Sequence, residues 1–150
     1  MTLVVDASVL VKLVLEESGS KEAREVFSNA LKLGEGIFVP DIALSEAFNA
    51  LWKHCFLVKD IGFEECLGAA RDLLKIWRLL EVYSTDRFAV EALEVAVRKG
   101  LTFYDSLYLV LALELKGSLA SFDHELRAVS YTHLRAHETE ADLVCRLLLE

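Results

Sequence analysis

Apolar and polar positions along the first 128 residues fall into two kinds of block. Short unbroken apolar runs with β-branched residues mark strands buried on both faces. The run to Val5, ending at Asp6, is of this kind; IFV closed by Pro40 is a second short strand, the RLLEVYS stretch a further strand candidate, and SLASF the last strand before Asp123. Between them apolar residues recur every three or four positions, the period of a helix with one buried side. That spacing predicts a short helix in SVLVKLVLEE, a second from Ser20 to Leu33 and a third in IALSEAFNALWKH. In the third, Ile42, Leu44, Ala47, Phe48 and Leu51 form the apolar side. A fourth runs from Phe63 to Leu79. A fifth runs from Asp86 to Lys99, with Phe88, Ala92, Val95 and Ala96 in register and Gly100 as its stop, and a sixth from Phe103 to Lys116. Strands alternating with helices predict an α/β domain, a three-layer α/β/α unit with a mainly parallel central sheet.

Composition narrows the class. The chain has 150 residues, of which 54% are hydrophobic and 27% charged. That is one domain's length, with enough apolar surface to exclude a disordered or low-complexity chain. No apolar run reaches the roughly 18 residues of a bilayer span. Met1 leads directly into TLVVD, without the basic region or small-residue cleavage site of a secretory leader. The three cysteines lack C-x-x-C spacing, which argues against a zinc site or a disulfide framework and fits a reducing cytosol. Cys55 and Cys66 read as small core hydrophobes, and Trp52 and Trp77 as core residues of their helices. The expectation is a cytoplasmic domain with no membrane partner.

The last segment stands apart. Residues 129–150, VSYTHLRAHETEADLVCRLLLE, resemble the translation of a transposase-type sequencing adapter: VSYTHLRAHET, a short index-dependent stretch, then LVCRLLLE. Read by residue, the same stretch makes an amphipathic helix striped by Leu143, Leu147 and Leu148, and His133, His137 and Glu138 imitate a metal constellation. The resemblance implies a native domain over residues 1–128, cut short, and a non-native tail over 129–150. The tail holds Arg135 and Arg146 against Glu138, Glu140, Asp142 and Glu150, so of the net charge of −8 the first 128 residues carry −6.

Acidic side chains belong on surfaces, so the informative ones interrupt apolar stretches. Four do: Asp6 in LVVDASVLV, Glu46 in IALSEAFNAL, Asp105 in LTFYDSLYLVLAL and Asp123 in LASFDHEL. Asp6 and Asp123 each follow a predicted strand, and open parallel sheets bind ligands outside the carboxyl ends of strands where the strand order reverses. Should the first and last of these strands be neighbours, both carboxylates lie at that crevice, and Glu46 and Asp105 reach it from the early turns of their helices. Carboxylates gathered there repel one another and lose hydration. A hard divalent cation, Mg²⁺ or Mn²⁺, reverses that balance, activates water and stabilises charge in a phosphoryl displacement. Each residue also has an ordinary use. Asp6 can cap the helix that follows, Asp105 stands in capping-box spacing with Thr102, Glu46 can lie exposed beside Asn49 and Lys53, and Asp123 can cap a final helix. No G-x-S-x-G, P-loop or G-x-G-x-x-G occurs. His54 and His124 are not spaced as ligands.

In order and content, VVDASVLVKLVLEE, FVPDIALSEAFNALWK and GLTFYDSLYLVLALELKGSLASFDHEL resemble the PIN-domain family, and within it the VapC-like toxins of type II toxin–antitoxin pairs. The resemblance covers residues 1–128. It implies that Asp6, Glu46, Asp105 and Asp123 are the family's catalytic and metal-holding acidic quartet, supported by Ser8 and Asn49. It implies a Mg²⁺- or Mn²⁺-dependent endoribonuclease acting on RNA, commonly a homodimer, held inactive by a cognate antitoxin. Family members usually continue from the fourth acidic residue into one more edge strand, and here the chain enters the adapter-like segment instead.

Three other readings stand beside this one. An RNA-processing PIN nuclease without an antitoxin shares the site. A PIN-like module that binds RNA or a partner without cutting does not need the full acidic set. A phospho-receiver module wants paired acids after its first strand, where this chain has Asp6-Ala7-Ser8. Against an RNA substrate stands the acidic net charge, which Lys12, Lys53, Arg87, Arg98 and Lys99 offset if they form a basic rim.

Overall fold

The computed structural model of the chain describes residues 2–126, 128 and 144–147. Strand β1 (Thr2–Val5) is followed by helices α1 (Ala7–Val14) and α2 (Ser20–Lys32), then β2 (Gly36–Pro40) and α3 (Ile42–Trp52). Helix α3 runs on through a π-helical turn (Lys53–Val58) before α4 (Phe63–Trp77) and β3 (Glu81–Tyr83). A 3-10 turn (Thr85–Arg87) leads into α5 (Ala89–Lys99), then α6 (Phe103–Leu115), β4 (Ser118–Ser121) and β5 (Val144–Leu147).

All strand pairs are parallel, in the order β3-β2-β1-β4-β5. Leu3, Val4, Val5, Leu119 and Ala120 are fully buried, as unbroken apolar strands between two helical layers must be. Helices α1 to α4 pack on one another, while α6 crosses β1, β2 and β4 with α5 on its outer side. The result is the three-layer α/β/α unit the sequence predicts. Helix α6 is buried nearly throughout, from Ser106 to Ala112, which explains why its apolar residues surround the helix rather than forming a stripe.

Two glycines matter here. Gly100 takes φ +71° and ends α5, as its position predicts. Gly19 takes φ +91° at the start of α2, and a Cβ there would come within 2.7 Å of the Phe122 ring, so only glycine lets this turn close beside the end of β4.

The structure departs from the sequence reading in three places. The third helix does not stop at His54 but widens into the π-helical turn, which leaves Phe56, Leu57 and Val58 exposed. Trp52 is 47% exposed and stacks on Phe56 at 5.5 Å, so it is not the core residue that its helical position suggests; Trp77 does pack against the core. Residues 144–147 form a strand, not a helix, paired in parallel with β4 from Ser118↔Val144 to Ser121↔Leu147. Among the described residues up to 128, no strand follows β4. The open edge is filled from within the adapter-like segment, because unpaired N–H and C=O groups along β4 accept any short extended stretch. His133, His137 and Glu138 lie outside the described residues.

Candidate acidic site

Because β2 and β3 lie on one side of β1 and β4 on the other, the strand order reverses between β1 and β4. Asp6 follows β1 directly, and its N–H donates to Ala120 O at 3.2 Å, tying the two strand ends together. Its side chain is an N-cap: Oδ1 accepts from the Val9 N–H at 3.2 Å and from Ser8 Oγ at 2.5 Å. Oδ2 accepts from Ser121 Oγ. Ser121 Oγ in turn accepts from the Asp123 N–H at 2.9 Å, and Ser8 Oγ from the Phe122 N–H at 3.1 Å. Two serines thus lace the end of β1 to the end of β4 and hold Asp6 and Asp123 at one crevice.

Asp6 is only 4% exposed. Burial pushes its carboxyl up to about 6, against hydrogen bonds from Ser121, Ser8 and Val9, and the charge of Asp123 adds to the rise. Asp105 stands in the first turn of α6, whose N-cap Thr102 accepts the Asp105 N–H at 3.1 Å. It too is pushed up to about 6, by burial first and then by Asp123, Asp6 and Glu125. Glu46 on α3 is half-buried and held by Tyr108 Oη, which donates to Oε1 at 2.5 Å. Burial raises it, the Tyr108 bond opposes, and Asp105 and Asp123 raise it further. Asp123 Oδ1 accepts from the Leu126 N–H at 2.8 Å.

Capping and membership of the site are therefore not alternatives. Asp6 and Asp123 cap helical turns and still face the other carboxylates, because a helix that starts at a strand end puts its N-cap at the crevice. The four acids from four separated segments act on one another electrostatically. Among the described residues, no three His, Cys, Asp or Glu side chains are close enough together to hold an ion at once. The donor set itself is all carboxylate oxygen, the kind a hard cation takes. An ion of the Mg²⁺ type needs one or two direct carboxylates and keeps the rest of its shell as water. In chemistry the residues fit such an ion.

A cleft of about 390 Å³ opens beside the acids, lined by Ser8, Glu46 and Asp123 together with Lys12, Glu17 and His54. Of the five cations read as a basic rim, Lys12 is the one on this lining. Its ammonium donates to Ser18 O at 2.6 Å, pairs with Glu17 at 3.2 Å and sits 4.8 Å from the centre of the Phe122 ring. Arg87 lies over Tyr83 and Phe88, and Arg98 pairs with Glu94 on α5. Asn49 is exposed on α3 and does not line the cleft. The sequence reading missed Tyr108, Ser121 and His54. Ser121 and Tyr108 had a signal, standing two residues before Asp123 and one helical turn after Asp105. His54 had none, since its partners Glu17, at 3.3 Å, and Asp60, at 2.9 Å, come from two loops.

Buried carboxylates at the switch point of a parallel α/β/α sheet define a class, and the comparison with known families gives it a name. Residues 3–130 match the PIN domain, and the chain belongs to the PIN-domain family. Within it the chain is 32% identical over 128 residues to Ribonuclease VapC3 of Pyrobaculum aerophilum, covering 84% of this chain and 92% of that protein. It is 36% identical over 98 residues to Exonuclease VapC9 of the same organism, covering 65% of this chain and 70% of the relative. Among solved structures it resembles PAE2754 from Pyrobaculum aerophilum, with TM-score 0.65 and 28% identity over 93% of this chain and 91% of that one. Mycobacterium tuberculosis VapC20, a Sarcin-Ricin loop cleaving toxin, shares the fold at TM-score 0.65 and 16% identity, over 85% of this chain and 95% of that one.

Proposed function

We propose that this chain is a Mg²⁺- or Mn²⁺-dependent endoribonuclease and the toxin of a type II toxin–antitoxin pair, working in the cytoplasm. The observation that carries the reading is that Asp6, Glu46, Asp105 and Asp123, from four separated segments, act on one another electrostatically, with Asp6 and Asp123 at the β1/β4 switch point. The similarity to Ribonuclease VapC3 supports nuclease activity on RNA, and that to Exonuclease VapC9 supports nuclease activity.

In this reading one or two of the four acids would ligate the ion directly and the others would face its water shell; when bound, the ion would supply an activated water and neutralise charge on the phosphodiester. The chain's own residues do the positioning. Ser8 and Ser121 fix both oxygens of Asp6, and Tyr108 fixes one oxygen of Glu46, so two carboxylates are held rigidly before any ion arrives. The cleft beside them takes the strand, and Lys12 is the lysine on its lining. Asn49 keeps a supporting role only if substrate reaches the exposed side of α3.

The test uses the purified chain with circular RNA, which an exonuclease cannot attack. Cleavage with Mg²⁺ or Mn²⁺ that stops with EDTA supports the proposal, and cleavage of linear RNA alone replaces it with an exonuclease. Asp6→Asn and Asp105→Asn are expected to abolish cutting with the circular dichroism spectrum unchanged; undiminished activity in both ends the proposal. An upstream reading frame whose product binds this chain and stops cleavage supports the toxin role. Its absence favours RNA processing.

A homodimer belongs to the same reading, and α5 supplies a surface for it. Val90, Leu93 and Val97 form a stripe that is 78%, 56% and 76% exposed. The helix has Glu91 in its first turn and Arg98 and Lys99 in its last. Two such helices packed antiparallel about a two-fold axis bury both stripes and set the acidic end of each against the basic end of the other.

A further inference from the structure

Cys55 and Cys66 look unrelated in the sequence and are neighbours in the fold. Cys55 lies in the π-helical turn that extends α3, and Cys66 in the first turn of α4. The His54 carbonyl accepts from the N–H groups of both Lys59 and Asp60, and Lys59 takes φ +61°. That left-handed residue reverses the chain at once, so α4 returns along the end of α3. The Cys66 thiol then points at the Leu51 carbonyl, 3.8 Å away and one turn before Cys55 on the same helix, and Cys55 is near enough to raise the Cys66 thiol. Both thiols are free and only half-buried, so a small solute can reach them.

We propose that Cys55 and Cys66 are a site of reversible oxidation, closing to a disulfide by exchange with a low-molecular-weight disulfide such as oxidised glutathione. One thiolate attacks the small disulfide, forms a mixed disulfide and releases one small thiol; the second attacks the mixed disulfide and releases the other. Two protein thiols become one S–S bond, and one small disulfide is reduced to two thiols. Burial and the neighbouring Cys55 raise the Cys66 thiol, so Cys66 suits the second step, where the mixed disulfide is already beside it. The bond staples the π-helical turn, and with it the His54 side of the cleft, to α4.

The test uses the full chain carrying Cys145→Ser, so that residues 55 and 66 are its cysteines. After incubation with oxidised glutathione, blocking of free thiols and trypsin digestion, the peptides 54–59 and 60–71 are expected as one linked species lacking two hydrogen atoms. Dithiothreitol should separate them. The thermal midpoint should rise by roughly 5–10 °C on oxidation, as for closing a short loop, and Cys55→Ser or Cys66→Ser should remove that rise. Both cysteines still open to alkylation, glutathione mixed disulfides that never resolve, or linkage only between molecules would each overturn the proposal. None of these readouts involves RNA cleavage, so the site stands or falls apart from the nuclease reading.

Discussion

Asp6 shows how one residue serves fold and site at once. As a cap it satisfies the Val9 N–H; as a buried anion it is held in a form that burial disfavours. Its carboxyl and that of Asp105 are pushed up to about 6 in the folded chain, above the ordinary 3.8 of an aspartate. Between about pH 4 and pH 6 the folded state therefore binds more protons than the unfolded one, and stability falls as pH rises through that window, then levels off. In EDTA the thermal midpoint is expected to drop from pH 4.5 to pH 7, with a shallower drop in Asp6→Asn and recovery at pH 7 on adding Mg²⁺. A midpoint that climbs over the same range contradicts this. Tyr108, 1% exposed, is the counterpart on α6. Tyr108→Phe removes the donor to Glu46, at a cost of about 1–3 kcal/mol. It also lets the Glu46 carboxyl rise further, so denaturation should show the loss and the acid limb of the activity profile should move to higher pH.

At the scale of elements, what was legible in the sequence was what depends on near neighbours. The strand runs and the helical periods placed β1, β2, β3, β4 and all six helices within a few residues, because burial of one face is written locally. The π-helical turn was not legible. Its FLV sequence has the composition of a core, yet Phe56, Leu57 and Val58 are 61%, 57% and 64% exposed, because the widened turn rotates them outward. Helix α5 shows the same limit, since Val90, Leu93 and Val97 continue an apolar period that only Ala92 and Ala96 bury. Leu93→Glu is expected to halve the mass measured by light scattering while leaving the helical signal intact. A chain already monomeric before the substitution removes α5 as an interface.

For the whole molecule, the deciding feature is the reversal of strand order between β1 and β4, which brings residues 6 and 123 to one crevice. The −6 carried by residues 1–128 is concentrated there in part, which makes a cation the natural counter-charge. The far edge has a different logic. Strand β5 offers β4 a backbone ladder of four residues, and the PIN match ends at Ser130, short of it. We propose that residues 129–150 derive from an adapter. Sequencing the locus from a library made with other adapters should then give a different continuation after Ala128. The chain with that continuation should melt higher than the one with the present tail, because an edge strand selected together with β4 packs its side chains as well as its backbone; equal midpoints count against the proposal.

The sequence alone determined the kinds of element, their order, the parallel α/β class and four acids conspicuous for interrupting apolar runs. Hydrophobic period, capping chemistry and glycine stops act over a few residues and need no knowledge of the rest of the chain. Tertiary structure decided what is near what: Ser121 on Asp6, Tyr108 on Glu46, His54 between Glu17 and Asp60, Cys66 beside Cys55. Those pairs are set by the strand order and by one left-handed residue after the π-helical turn. Contacts between distant segments follow from how the whole chain packs, and no local pattern encodes them.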